Sequence, residues 1–392
     1  MLKQILKLFK KDYQSLNKIE VSRANLLHNY RYLSSLDKRI RVAPVIKSNG
    51  YGHGISEVAK ILDSLYTSDV GSSPNDVSSR PPFFCVDSLF EAYELLKANI
   101  RTPILITGYT DPENLKVKKL PFSFAVYDIE TAKILNEFQP GCGVHIFIDT
   151  GMRREGVMVK ELPEFLLQIK QLSNIKIEGL MSHLASSESK TDPLFVNQIK
   201  QFKKTKEVCK KYGINPRWIH ISATGGLVNP ETRKMIGKIS NLTRAGLSLY
   251  GFSSSTYDEN LKPSLILTTK IVQIKKVSKG EKLGYDGTFV TKKDMLIGVV
   301  PIGYYDGVDR RLSNKGTFLT DNIECPILGR VCMNINIIDL SRVPNPKVGQ
   351  EVVVYSNNPK DKNSIVNAAK ICKTIPYDLL VNLAETTRRV IV

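Results

Sequence analysis

Apolar and polar positions follow two rhythms along this chain, and the change comes near residue 251. From residue 40 to 250, short β-branched runs alternate with segments whose apolar residues recur three and four apart. The runs are RVAPVI (41–46), PFFCV (82–86), TPILIT (102–107), SFAVY (123–127), VHIFID (144–149), IKIEGLMS (175–182), RWIHIS (217–222) and KISNLTR (238–244). Segments of helical period, such as ISEVAKILDSL, LFEAYELLKAN and PLFVNQIKQFKKTKEVCKKYG, lie between most of them. Eight strands joined by crossovers predict parallel pairing, and that number of β–α units closes into a (β/α)8 barrel of the TIM type. Two crossovers, DPENLKVKKL and VNPETRKM, are weak as helices, and the Ser/Pro-rich stretch 64–82 reads as a surface loop. After Gly251 the runs 264–277, 295–300, 316–320, 324–328, 335–340 and 351–356 are strand-like with no helices between them. They predict a mainly β C-terminal domain that closes with two short helices near 364–372 and 376–384. The expected division is a basic extension at 1–18, a barrel at 19–258 and a β domain at 259–392.

Composition narrows the function classes. In 392 residues, 42% are hydrophobic, enough for a sizeable core, and no run approaches the roughly 18 apolar residues of a membrane span. Lysines interrupt the apolar residues of MLKQILKLFKKDYQSLNK, so no secretory leader is read there, and a cytoplasmic protein is expected. The net charge of +18 is spread along the chain, and its densest cluster, Lys203 to Lys211, falls on the polar face of a helix. With no zinc-finger, RRM or KH signature, a nucleic-acid partner is not expected. The six cysteines show no CxxC spacing, which fits a reducing compartment and argues against a structural metal.

Barrel active sites form at the C-terminal ends of strands, and phosphate commonly binds after strands seven and eight. Strand one ends in Lys47, strand five in Asp149 to Arg154, strand six at His183, strand seven at Ala223-Thr224-Gly225-Gly226 and strand eight at Arg244-Ala245-Gly246. A lysine at one strand end is more often a solvated terminus. Paired with a Thr-Gly-Gly turn, it suggests a Schiff-base lysine with a phosphorylated cofactor, pyridoxal 5'-phosphate (PLP). Nine motifs sharpen this: VIKSNGYGHG (45–54), IDTGMRREGV (148–157), SHLA (182–185), HISATGG (220–226), NLTRAGLSLYG (241–251), GYDGTF (284–289), PIGYYDG (301–307), GRVCMN (329–334) and TIPYD (374–378). In that order and spacing the chain resembles the alanine racemase family over residues 19 to 390.

The resemblance implies a PLP-binding barrel followed by a β domain, a homodimer with shared active sites, and L- and D-alanine as substrates, with D-alanine destined for peptidoglycan. It implies that Lys47 binds the cofactor and, with Tyr285, forms a pair of bases on opposite faces of the substrate Cα. Tyr51, Thr224, Gly246, Leu247 and Tyr377 match the phosphate cradle, and His183 matches an imidazole beside the cofactor ring. Arg244 matches the arginine facing the pyridine nitrogen, where a fixed cation disfavours ring protonation. His220 is either a buttress for Arg244 or a satisfied core histidine. Arg154 and the Met333 amide match groups that hold substrate, and Tyr304 a residue at the channel mouth. Three departures stand out: Ala223, Asn334, and Phe147 in place of a frequent carbamylated lysine that orients the arginine matched by Arg154. Since Phe147 cannot carry a carbamate, Arg154 is expected to rely on another anion, such as chloride. The alternatives are a racemase for serine, lysine or arginine, a barrel PLP decarboxylase, or a non-catalytic PLP carrier. GYDGTF and GRVCMN argue against the decarboxylase, and the long β domain argues against the carrier.

Overall fold

The computed structural model describes residues 15–66, 80–253 and 258–392. They divide into two compact units: residues 22–264, and residues 265–392 together with the segment that ends at Val21. Most of the expected loop at 64–82 and of the expected extension at 1–18 lies outside the described residues.

In the first unit a strand falls at each of the eight apolar runs: β1 (Arg41–Pro44), β2 (Phe84–Val86), β3 (Ile104–Ile106), β4 (Ser123–Val126), β5 (Gly143–Asp149), β6 (Lys176–Met181), β7 (Trp218–Ser222) and β8 (Leu242–Ala245). All pair in parallel in the order β1-β8-β7-β6-β5-β4-β3-β2, and a bridge from Val45 to Cys85 brings the two ends together. A sheet covered on both faces reads as continuous apolar runs, and all seven residues of β5 are buried. Inside, Ala43, Phe83, Cys85, Leu105 and Leu242 form one cluster, and Ala125, Phe147 and Met181 another. The two weak crossovers still hold helices, Pro112–Val117 and Pro230–Ile236. Both start on proline after a capping side chain: Asp111 accepts the Glu113 N–H at 2.9 Å, and Asn229 accepts the Glu231 N–H at 2.9 Å. Caps, rather than apolar period, specify these short helices.

Two strand glycines admit polar side chains into the barrel. Gly179 of β6 pairs with His145 of β5, and a Cβ on it would lie 2.1 Å from His145 Nδ1. A Cβ on Gly143 would lie 2.2 Å from Glu178 Oε2.

The second unit carries a six-stranded sheet ordered Ile323–Pro326, Thr317–Thr320, Glu351–Tyr355, Leu265–Lys270, Lys18–Val21, Arg388–Ile391. A three-stranded sheet joins Gln273–Val277, Met295–Val300 and Asn336–Asp339. The apolar run 264–277 therefore supplies strands to two sheets, breaking at Ile271 and Val272. Helices Ile365–Cys372 and Pro376–Val381 fall in the two expected stretches. Lys18–Val21 differs from expectation. It pairs antiparallel with Leu265–Lys270 and parallel with Arg388–Ile391, burying Ile19 and Val21, so the unit boundaries lie at 21/22 and 264/265.

Gly179→Ala should destabilise the chain by about 1–3 kcal/mol in urea unfolding, because the new methyl must displace the His145 ring. An unchanged midpoint would show that the ring has room to move.

Candidate active site

At the end of β1 the backbone takes an uncommon path. Ser48, Asn49, Gly50 and Tyr51 have φ of 53°, 53°, 61° and 51°, a single left-handed turn. Non-glycine residues there cost roughly 1–2 kcal/mol each, so the surroundings must hold the turn. One carboxylate does much of this: Glu91 accepts the Ser48 N–H at 2.5 Å and the Asp87 N–H at 2.7 Å. Asn49 adds its side-chain oxygen, which accepts the Ile55 N–H at 2.9 Å. Lys47, at the head of the turn, donates from Nζ to Asp87 Oδ1 at 2.8 Å. Nothing in the expected motifs singled out Asp87, which lies just beyond β2.

Tyr51, at the foot of the turn, packs its ring 5.0 Å from Tyr250, whose hydroxyl donates to the Val45 carbonyl. The Tyr51 hydroxyl lies against Gly246, where a Cβ would be 2.6 Å away. Thr224 opens the short helix after β7, and its Oγ1 accepts the Gly246 N–H at 2.9 Å. Leu247 begins the 3-10 turn Leu247–Tyr250, so its N–H has no partner within that turn. Tyr51, Thr224, Gly246 and Leu247 thus gather at one place, with two hydroxyls, the Leu247 amide, and a glycine whose missing Cβ lets the Tyr51 hydroxyl approach while its own N–H orients Thr224. That donor chemistry fits an anion such as phosphate.

Arg244 of β8 is 5% exposed, and four hydrogen bonds engage its two terminal nitrogens. Nη1 donates to His220 Nδ1 at 2.5 Å and to the His220 carbonyl at 3.3 Å. Nη2 donates to the Ser182 carbonyl at 2.6 Å and to His183 Nδ1 at 3.2 Å. Guanidinium has only donors, so Nδ1 of both histidines accepts and each carries its proton on Nε2. His220 Nε2 then donates to His145 Nδ1 at 2.8 Å, which places the His145 proton on Nε2 as well. Burial, followed by the Arg244 charge, lowers His145 to about 3. The same causes, with Arg154 and Lys47 adding to them, lower His183 to about 3, and His220 falls well below its ordinary value. All three imidazoles are neutral. Burial lowers Arg244 itself to about 10, which leaves it charged at neutral pH. Its Nε–H makes no hydrogen bond among the described residues. His220 is therefore a buttress, and His145 is a further link that the motifs did not indicate, although a histidine inside an apolar strand run was its visible signal.

Arg154 follows β5, and both its Nε and Nη2 donate to the carboxylate of Glu155, the latter at 2.8 Å. Phe147 is buried against Ala125 and Met181. The space bounded by Phe147, Arg154, Glu155, Ser182 and His183 does not admit a water-sized sphere. Glu155 is thus the anion that Arg154 meets among the described residues.

The remaining expected residues lie on the β unit. Tyr285 follows Gly284 (φ 72°) and is 69% exposed. Tyr304 and Met333 come from adjoining loops: the Tyr304 N–H donates to the Cys332 carbonyl at 2.9 Å, and the Tyr305 N–H to the Met333 carbonyl at 3.0 Å. A Cβ on Gly303 would lie 2.2 Å from the Cys332 oxygen, so the two motifs meet through that glycine. Tyr377 is in the first turn of Pro376–Val381. Among the described residues no helix is long and apolar enough to cross a membrane.

Two domain families match the chain: alanine racemase, N-terminal domain, over residues 21–73 and 79–254, and alanine racemase, C-terminal domain, over 264–391. Alanine racemase 2 of Caldanaerobacter subterraneus subsp. tengcongensis is 31% identical over 384 residues, covering 95% of this chain and 94% of that protein. The alanine racemase of Borreliella burgdorferi (strain ZS7) is 31% identical over 380 residues, with 93% and 94% covered. Among solved structures, alanine racemase of Clostridium difficile 630 superposes with a TM-score of 0.85 at 27% identity, covering 97% of each chain.

The neutral histidines make stability fall with acidity. Unfolded histidine titrates near 6.5, so below that pH the unfolded chain binds protons that the folded one refuses. Each of the three should cost up to about 1.4 kcal/mol per pH unit as pH falls from about 6 towards 3. His145→Asn should reduce that slope by about a third in urea unfolding between pH 7 and 5. A slope unaltered by the substitution would count against a neutral buried His145.

Proposed function

The chain belongs to the alanine racemase family, and we propose that it interconverts L- and D-alanine with PLP as cofactor, as a homodimer in the cytoplasm. The family is PLP-dependent. The observation that carries the reading is the convergence at the barrel's C-terminal mouth of Lys47, the anion cradle of Tyr51, Thr224, Gly246 and Leu247, and Arg244 with one N–H uncommitted. When bound, PLP supplies the electron sink that allows the Cα–H bond of an amino acid to ionise. The cradle would hold its phosphate, with Tyr377 as a further donor, and His183 would offer Nε2–H beside its ring. Arg244 would meet the pyridine nitrogen with its Nε–H. A permanent cation there opposes ring protonation, which keeps the sink weak and favours return of the proton to Cα.

Racemisation needs a proton removed on one face of Cα and delivered on the other, a task for two groups. Lys47 and Tyr285 fill these roles, and Arg154, the Met333 amide and Tyr304 hold or admit the substrate. The exposure of Tyr285 in a single chain supports a site completed by the partner's copy of that residue. D-Alanine made this way would serve peptidoglycan synthesis.

The test is Cα–H exchange with deuterated solvent, followed by chiral analysis, over a panel of L-amino acids. L-Alanine should become racemic and deuterated fastest. Release of carbon dioxide, exchange without inversion, or a preference for serine, lysine or arginine would each overturn the assignment. In the same assay Lys47→Ala and Tyr285→Phe should be nearly inactive alone. Refolded together at equal concentration, about half the dimers are mixed and each has one intact site, so roughly a quarter of wild-type activity should return. No recovery, with mixed dimers present by native mass spectrometry, would rule out shared sites.

The pairing of Arg154 with Glu155 yields a second expectation. Activity should be the same in carbon-dioxide-depleted and bicarbonate-supplemented buffer, and Glu155→Gln should raise KM for alanine by about 10-fold with a smaller change in kcat. Bicarbonate-dependent activity, or an unaltered KM, would mean that Glu155 does not position Arg154.

A further inference from the structure

Parallel strands put the candidate active site at one mouth of the barrel, and a second cavity of about 400 Å³ opens at the other. Its lining comes from strand beginnings: Arg41, Ser123 and Trp218 are the first residues of β1, β4 and β7, and Phe83 directly precedes β2. The volume lies in the range that small-molecule sites occupy. Phe83 and Trp218 form two aromatic walls, edge to face with ring centroids 6.0 Å apart. The Arg217 guanidinium stacks 4.6 Å over Trp218 and has no hydrogen-bond or ion-pair partner among the described residues. Arg41 and Arg80 add positive charge to the lining, against the single carboxylate of Glu178, which Ser123 engages at 3.4 Å. His145, 1% exposed, also lines the cavity, and its Nδ1 is committed to His220, so Nε2–H is the donor it retains. Gly143 and Gly179 are the positions that give Glu178 and His145 their space.

We propose that this cavity is a second ligand site, for a small aromatic carboxylate: the carboxylate on Arg217, the ring against Phe83 and Trp218, and His145 Nε2–H as a further donor. Hydrogen bonds run from His145 through His220 to Arg244, so an occupant here bears on the guanidinium at the opposite mouth. This second claim rests on the reading of Arg244 as the cofactor's partner.

Trp218 is the only tryptophan in the chain, so its emission reports on the cavity directly. The holoenzyme is titrated with benzoate, and with benzamide as the uncharged control. Benzoate should change the emission saturably with a Kd on the order of 1 mM, and benzamide should bind at least about 10-fold more weakly. Arg217→Gln should weaken benzoate by about 10-fold, whereas Arg154→Met, at the other mouth, should leave the titration unchanged. Any of four results overturns the site: no saturable change at tens of millimolar, an equal response to benzamide, an unaltered Arg217→Gln, or loss in Arg154→Met. The cofactor's visible absorbance band should shift along the same titration and cease to do so in His145→Phe. Emission that titrates while the band stays fixed overturns the coupling. A chain that binds no PLP would lack the band altogether while Trp218 still reads the cavity, so the two failures are distinguishable.

Discussion

A charged guanidinium buried without a carboxylate beside it is the constraint around which the barrel is organised. Removing a cation from water costs several kcal/mol unless its hydrogen-bonding capacity is met. Arg244 meets that need with carbonyls and imidazoles, all of them neutral acceptors. Its charge is therefore solvated by the protein and is not cancelled by it. Each imidazole that accepts must carry its proton on the far nitrogen, so one arginine fixes three tautomers, that of His145 through His220. Gly179 belongs to the same arrangement, since His145 occupies the space a side chain there would need.

A second constraint is geometric. The left-handed turn from Ser48 to Tyr51 stores backbone strain, and Glu91 and Asn49 offset it with side-chain hydrogen bonds to main-chain amides. What the turn gains is position: Lys47 and Tyr51 leave one strand end within five residues, the lysine towards Asp87 and the tyrosine towards Gly246. The Lys47–Asp87 pair is partly exposed, so it costs little to open when Lys47 is needed elsewhere.

The eight barrel strands were legible in the sequence because the last three residues of every one are buried, and four strands are buried throughout, so apolar residues dominate each run. The short crossovers Pro112–Val117 and Pro230–Ile236 were hard to read for a physical reason: at six and seven residues they are too short for a helical period and depend on Asp111 and Asn229 caps. Lys18–Val21 was not legible as part of the β unit, since its partners, Leu265–Lys270 and Arg388–Ile391, are more than two hundred residues distant in sequence. Among site residues, the motif positions were visible and their second partners were not. Asp87 acts through a side-chain distance that no local pattern encodes. His145 was visible only as a histidine inside an apolar run, and Glu155 stood beside Arg154 in its motif with only the loss of a lysine at Phe147 to signal that Arg154 needed a different anion.

The central claim is that Arg244 acts through its uncompensated charge and not merely as a buried scaffold. Arg244→Glu reverses that charge where the pyridine nitrogen would sit. In the folded, PLP-loaded variant, racemisation should fall by at least about 10-fold, and the share of turnovers that end in pyridoxamine phosphate should rise, measured by product analysis under multiple turnover. Lower activity with no gain in pyridoxamine phosphate would contradict the electrostatic account and leave Arg244 a structural role alone.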